Sequence, residues 1–193
     1  SCFAVPSETS DMVVDRSPTE IADEGWYWLR VKDVTGFPRN ARDGYFPKHN
    51  VTRPIETTDA IRPSANEESV RDIDRLALDE TYLSGKWIIE RSPDAVDDFW
   101  NAIVDDVAAE RFWDAKVTTR FGREAFEETD HAVLVFTPNY FERDDVDRVR
   151  QRLREAHDVT EEIRYKPDVY TLNGIYEETL HERTVSDSAR FRA

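Results

Sequence analysis

An α+β fold with a βαββαβ core over residues 85–172 is predicted by three observations. Short runs rich in β-branched and aromatic residues recur at 85–91 (GKWIIER), 115–121 (AKVTTRF), 131–137 (HAVLVFT) and within 163–172 (IRYKPDVYTL). Two intervening stretches carry apolar residues three and four apart, the spacing of a helix buried along one side. Their order is that of the split βαβ unit, which places both helices on one face of an antiparallel or mixed sheet and leaves the other face open.

Each element has its own local reason. Residues 26–31 hold Trp26, Tyr27 and Trp28 in a run of β-forming character and read as a strand. Residues 34–64 contain four prolines and two glycines, and so predict a long irregular loop of the kind that is functional or disordered. Val70, Ile73 and Leu76 predict a short helix within 65–80. Ser92-Pro93 supplies an N-cap and a first-turn proline for the first core helix. Along it Val96, Phe99, Trp100, Ile103 and Val107 form one apolar stripe, so Trp100 belongs to the core. Val146, Val149 and Leu153 do the same for a helix over 143–157. Residues 1–19 read as a mobile tail, 20–176 as a single domain and 177–193 as a polar C-terminal tail.

The composition bounds the class. The chain has 193 residues, 39% of them hydrophobic, enough for one core. One cysteine, Cys2, excludes an internal disulfide or a multi-cysteine zinc site, and it suits a reducing cytoplasm. No apolar run approaches a membrane span. The first residues lack the basic start and apolar segment of a secretory signal, and Met12 is a candidate natural start. Against 41 Asp plus Glu stand 21 Arg and only five Lys, for a net charge of −15. This balance fits a protein adapted to molar salt. There the Debye length is roughly 3 Å, and the net charge does not exclude nucleic acid.

Lysines retained in such a chain invite a local explanation. Side chains alternate along a strand. Lys116, Thr118 and Arg120 therefore share one face of 115–121. Lys86 goes with Ile88 and Glu90, away from Trp87, and Lys166 goes with Asp168 and Tyr170. If the apolar sides meet the helices, Lys86, Lys116, Arg120 and Lys166 converge on the open face, with Arg123 just beyond Gly122. Such cations on a rigid sheet can hold phosphate, or they can be consumed by salt bridges to Glu90, Asp168 and other carboxylates. Trp113, Trp26 and Trp28 are placed to stack on a single-stranded nucleic acid there, or to pack as ordinary core. Catalytic signals are few. His49, His131, His157 and His181 show no metal-ligand spacing, and neither a phosphate-cradling glycine loop nor a nucleophile elbow is present.

The strings GKWIIE (85–90), AKVTTRFGR (115–123), HAVLVFTPNYFERDDVDRVRQRLRE (131–155) and YKPDVYTLNGIY (165–176) resemble a family of unknown function. It is typified by the basophilic leukaemia-expressed protein and occurs in eukaryotes and haloarchaea. The resemblance implies the fold of the cap-binding translation initiation factor, a curved, mostly antiparallel sheet backed by helices. Haloarchaeal members often carry the label phosphothreonine lyase, an activity that needs a lysine base, a histidine acid and cations for the phosphate. On that resemblance Lys116 matches the base and Lys86 a phosphate ligand. Ile88 stands where the acid is needed, and Arg120 or Arg123 could replace the phosphate arginine.

The expected function is non-catalytic binding of a phosphate-bearing ligand, RNA or nucleotide, on the open face. Ribosome association is one setting for it, and neither cofactor nor metal is expected. The ligand-binding set is Lys86, Lys116, Arg120, Arg123, Lys166 and Trp113. A phosphothreonine lyase acting on phosphoprotein, with Lys116 as base and His131 as the nearest strand histidine, is the rival. A protein-interaction module is the third reading.

Overall fold

A computed structural model describes residues 2–6, 15–33, 42–57 and 61–193. Seven strands form one antiparallel sheet: β1 (Cys2–Pro6), β2 (Trp28–Asp33), β3 (Gly85–Arg91), β4 (Asp114–Thr118), β5 (His131–Thr137), β6 (Arg164–Pro167) and β7 (Phe191–Arg192), in the order β1-β2-β4-β5-β3-β6-β7. The four central strands, β4-β5-β3-β6, realise the βαββαβ order, and every neighbouring pair is antiparallel. The two long helices, α3 (Pro93–Ala108) and α5 (Arg143–His157), follow β3 and β5.

The helical side of the sheet is the main core. Trp87, Ile89, Ala115, Val117, Val133, Val135 and Tyr165 join Val96, Trp100, Ile103, Val107, Val146, Val149 and Leu153 in one buried cluster. Trp100 is buried there and Phe99 is half-buried beside it. The Trp87 indole N–H donates to the Val146 carbonyl at 3.0 Å, so its polar edge is satisfied inside the core.

Several segments depart from the expectation. In α2 (Glu68–Asp79) the inward face is Val70, Asp74 and Ala77, and Leu76 is exposed. Asp74 tolerates burial because Tyr140 donates to it at 2.8 Å and Arg190 at 2.9 Å. The long loop contributes a short helix, α1 (Tyr45–His49), whose Tyr45 and Phe46 pack with Val51, Trp113, Leu134 and Phe136 as a second core. Residues 34–41 and 58–60 of that loop lie outside the described residues. The N-terminal segment read as a mobile tail contains β1, paired along β2. The C-terminal segment read as a polar tail is built in as well. Val185, Ser188 and Ala189 are buried, and Ala193 exchanges two backbone hydrogen bonds with Ile163.

Candidate anion-binding site

The sheet registers decide which side chains share the face opposite the helices. One cross-strand row reads Arg30, Lys116, Leu134, Ile88, Arg164. The row two residues along reads Asp114, Phe136, Lys86, Lys166. Cations therefore flank an apolar floor. A cavity of about 870 Å³ lies over these rows, lined by five cations (Arg30, Lys86, Lys116, Arg164, Lys166) and two carboxylates (Glu128 and Asp168), with Trp28, Tyr82, Phe126 and Tyr176 around it. Three of the chain's five lysines meet in this one cavity, in a protein of net charge −15.

The cations are not equivalent. Lys86 is buried, and its ammonium donates to Asp168 at 2.7 Å and to Thr171 at 3.0 Å. Asp168 also accepts from the Ser84 hydroxyl at 2.6 Å. Arg30 is paired with Asp114 at 3.2 Å and Arg164 with Glu177 at 3.6 Å. The Lys116 ammonium lies 4.2 Å from the centre of the Trp28 ring. Lys166 stands directly across from Lys86 in the register, with its ammonium 4.0 Å from the Tyr176 ring centre and, among the described residues, no salt bridge to a carboxylate. Burial, then the Lys86 charge, then Arg164 lower its pKa from the usual lysine value to about 8.

Of the residues singled out from sequence, the fold brings Lys86, Lys116 and Lys166 together. It does not bring the other three. Arg120 is off the face because β4 ends at Thr118. Thr119 then caps a short helix, α4 (Arg120–Ala125), its side chain accepting from the Gly122 N–H at 2.9 Å. Arg120 is exposed and pairs with Glu124 at 2.9 Å. Arg123 donates to the Glu128 carbonyl at 3.2 Å and so closes the turn after α4. Trp113 is 6% exposed and belongs to the second core with Tyr45 and Phe46, so it is no stacking platform for this cavity.

His131 is excluded as the acid partner of Lys116. It sits one residue out of phase with Leu134 and Ala132, on the helical side of β5, with Nδ1 2.6 Å from the Thr118 carbonyl. It is buried, and that burial lowers its pKa. No histidine lines the cavity among the described residues. Asp168 and Tyr170 also depart from the alternation read for residues 165–170. The strand stops at Pro167 and α6 (Asp168–Leu172) begins, which turns Tyr170 into the core while Asp168 stays against Lys86. The aromatic lip formed by Tyr82, Phe126 and Tyr176 escaped the sequence reading, because all three sit in turns and helix ends where no strand parity applies.

The family model for basophilic leukemia-expressed protein Bles03 matches residues 39–173, and the chain belongs to this family. Among solved structures it is similar to Ascaris suum eIF4E-3 with m2,2,7G cap (15% identity, 86% of each chain covered, TM-score 0.41). It is similar also to schistosome eIF4E complexed with m7GpppG and 4E-BP (13% identity, 79% of this chain and 80% of that one, TM-score 0.43). A third is C. elegans eIF4E-3 with the 4E-binding protein Mextli and a cap analog (13% identity, 86% and 94%, TM-score 0.41). No described helix is long and apolar enough to cross a membrane.

Proposed function

We propose that the chain binds a phosphate-bearing ligand, RNA or nucleotide, in the cavity on the sheet face opposite α3 and α5, as a binder rather than as a lyase. The observation that carries this reading is the gathering of Lys86, Lys116 and Lys166 with two arginines around an apolar floor, in a chain otherwise poor in lysine. Ammonium groups over aromatic rings beside flat apolar side chains suit a ligand that has both phosphate and a base. β-Elimination needs a base and an acid at one place. Lys166, with its pKa lowered to about 8, has the property a lysine base needs, but the histidine acid is missing from the cavity lining.

Lys166→Ala and Lys116→Ala are each expected to weaken binding of a short RNA by roughly 1–3 kcal/mol, as for charge-assisted contacts. Arg120→Ala, whose guanidinium is held by Glu124, should leave it unchanged. Isothermal titration of the three variants checks this, and equal losses in all three would refute the placement. A phosphothreonine peptide incubated with the protein should keep its phosphate by mass spectrometry. Loss of phosphoric acid that disappears in Lys166→Ala would instead establish the lyase.

Binding should also depend on pH in a defined direction. The free Lys166 titrates at about 8, and a phosphodiester beside it favours the ammonium and raises that pKa. The complex therefore holds more protons than the free protein above pH 8. Affinity should be flat below that point and fall about tenfold between pH 7 and pH 9 by linkage. Internucleotide phosphates do not titrate in this range, and the part of the slope that Lys166→Ala abolishes belongs to that side chain.

A further inference from the structure

We infer that the site takes a single-stranded stretch of several nucleotides laid across the sheet rather than a single nucleotide. This rests on the nucleic-acid reading above and goes further by fixing the ligand's extent. Three large aromatic side chains stay substantially exposed among the described residues: Tyr82 at 37%, Phe126 at 47% and Tyr176 at 40%. All three line the cation cavity, where scattered surface aromatics would fall anywhere. They stand at separate points around it. Tyr82 is in the turn before β3, Phe126 caps the C-terminal end of α4 with its ring 6.0 Å from that of Trp28, and Tyr176 follows α6.

The spacing sets the length. Trp28 is on β2 and Lys166 on β6, four inter-strand steps apart, or roughly 19 Å at about 4.8 Å per step. One base with its own phosphate cannot occupy both ends. A stacked strand rises about 3.4 Å per nucleotide, so this distance corresponds to roughly six stacked nucleotides, and to fewer in an extended chain. Cations alternate with the aromatics along the way: Lys116 lies over Trp28 and Lys166 over Tyr176. Alternating backbone neutralisation and stacking platforms hold single strands without reading their sequence.

The test is a length series of oligouridylates from one to eight nucleotides, with uridine triphosphate and a blunt RNA duplex alongside, on the full chain by fluorescence anisotropy. Affinity should rise at least tenfold from the monomer and level off between about four and six nucleotides, with the duplex weaker than the hexamer. Phe126→Ala and Tyr176→Ala should each lower hexamer affinity about tenfold. Both positions are exposed, so circular dichroism should show native folds. If uridine monophosphate or triphosphate binds as tightly as the hexamer, the inference is overturned while the nucleotide reading stands. If the hexamer dependence persists in both aromatic variants, attraction to the backbone alone explains it and the inference is again overturned. If no oligonucleotide or nucleotide binds, whether or not a phosphothreonine peptide does, the inference and the proposed function fall together.

Discussion

Replacing Asp168 with alanine is expected to destabilise the protein by about 3–5 kcal/mol, the cost of leaving a buried charge without its partner. The Asp168 carboxylate holds the buried Lys86 ammonium at 2.7 Å and accepts from Ser84 at 2.6 Å. Without it Lys86 loses its carboxylate partner while standing directly across the β3–β6 pair from a second cation, Lys166. Urea unfolding should show the loss as a lower midpoint at an unchanged slope. Removing both charges should cost much less: Lys86→Met combined with Asp168→Ala should recover most of the stability, because a buried pair is replaceable by apolar groups of similar size while half a pair is not. Where the single variant still folds, a cation released from its internal partner should tighten RNA binding, so stability and affinity move in opposite directions. A loss below about 1 kcal/mol, the range of exposed pairs, would show that the pair is solvated rather than buried.

How much of this was legible in the sequence depends on whether period-2 alternation held. It held on β3 and β4 as far as Thr118, and there the shared face of Lys86 and Lys116 follows from counting residues. It failed where a strand-like composition hid a helix start. TTRFGREAF reads as a strand that runs into a turn, yet Thr119 is a capping residue and the next six residues coil. The same holds for YKPDVY. Pro167 followed by an acidic residue is a helix-start signal, and Val169 and Tyr170 give the same stretch a strand-like composition. Lys166 still reached the correct face because it precedes that break.

Trp113 and His131 were illegible for a different reason. Parity within one strand says nothing about register between strands, and that register alone puts His131 on the helical side while Lys116 faces away from it. Trp113 is buried by Tyr45 and Phe46 from a loop whose proline and glycine content predicts no fixed structure. A tertiary contact of that kind leaves no periodic trace. The βαββαβ core survived these errors because it rests on two amphipathic helices and four apolar strands that agree with one another.

The sharpest disagreement between local and tertiary reasoning comes at Gly122, inside the short helix α4. Helix propensity alone makes Gly122→Ala favourable by roughly 0.5–1 kcal/mol. The structure reverses the sign. A Cβ built on Gly122 would lie 2.1 Å from the Tyr27 carbonyl oxygen and 3.0 Å from the Tyr27 Cα, both backbone atoms that no rotamer change can move aside. Tyr27 is itself fixed: its carbonyl accepts from the Thr119 N–H at 3.0 Å, and the Thr119 hydroxyl donates to the neighbouring Trp26 carbonyl. Relief requires the Trp26–Trp28 segment to shift away from α4, breaking the hydrogen bond to Tyr27. Overpacking of this kind costs typically 1–3 kcal/mol and occasionally more, and the lost hydrogen bond adds about 1 kcal/mol. A net destabilisation of about 3 kcal/mol is expected by urea unfolding. The same shift moves Trp28 under Lys116, so RNA affinity should fall in this variant although Gly122 does not line the cavity. An alanine at 122 that stabilised the protein would mean that α4 does not pack against Tyr27 as described. The Trp28–Lys116 edge of the binding face would then lose its structural basis.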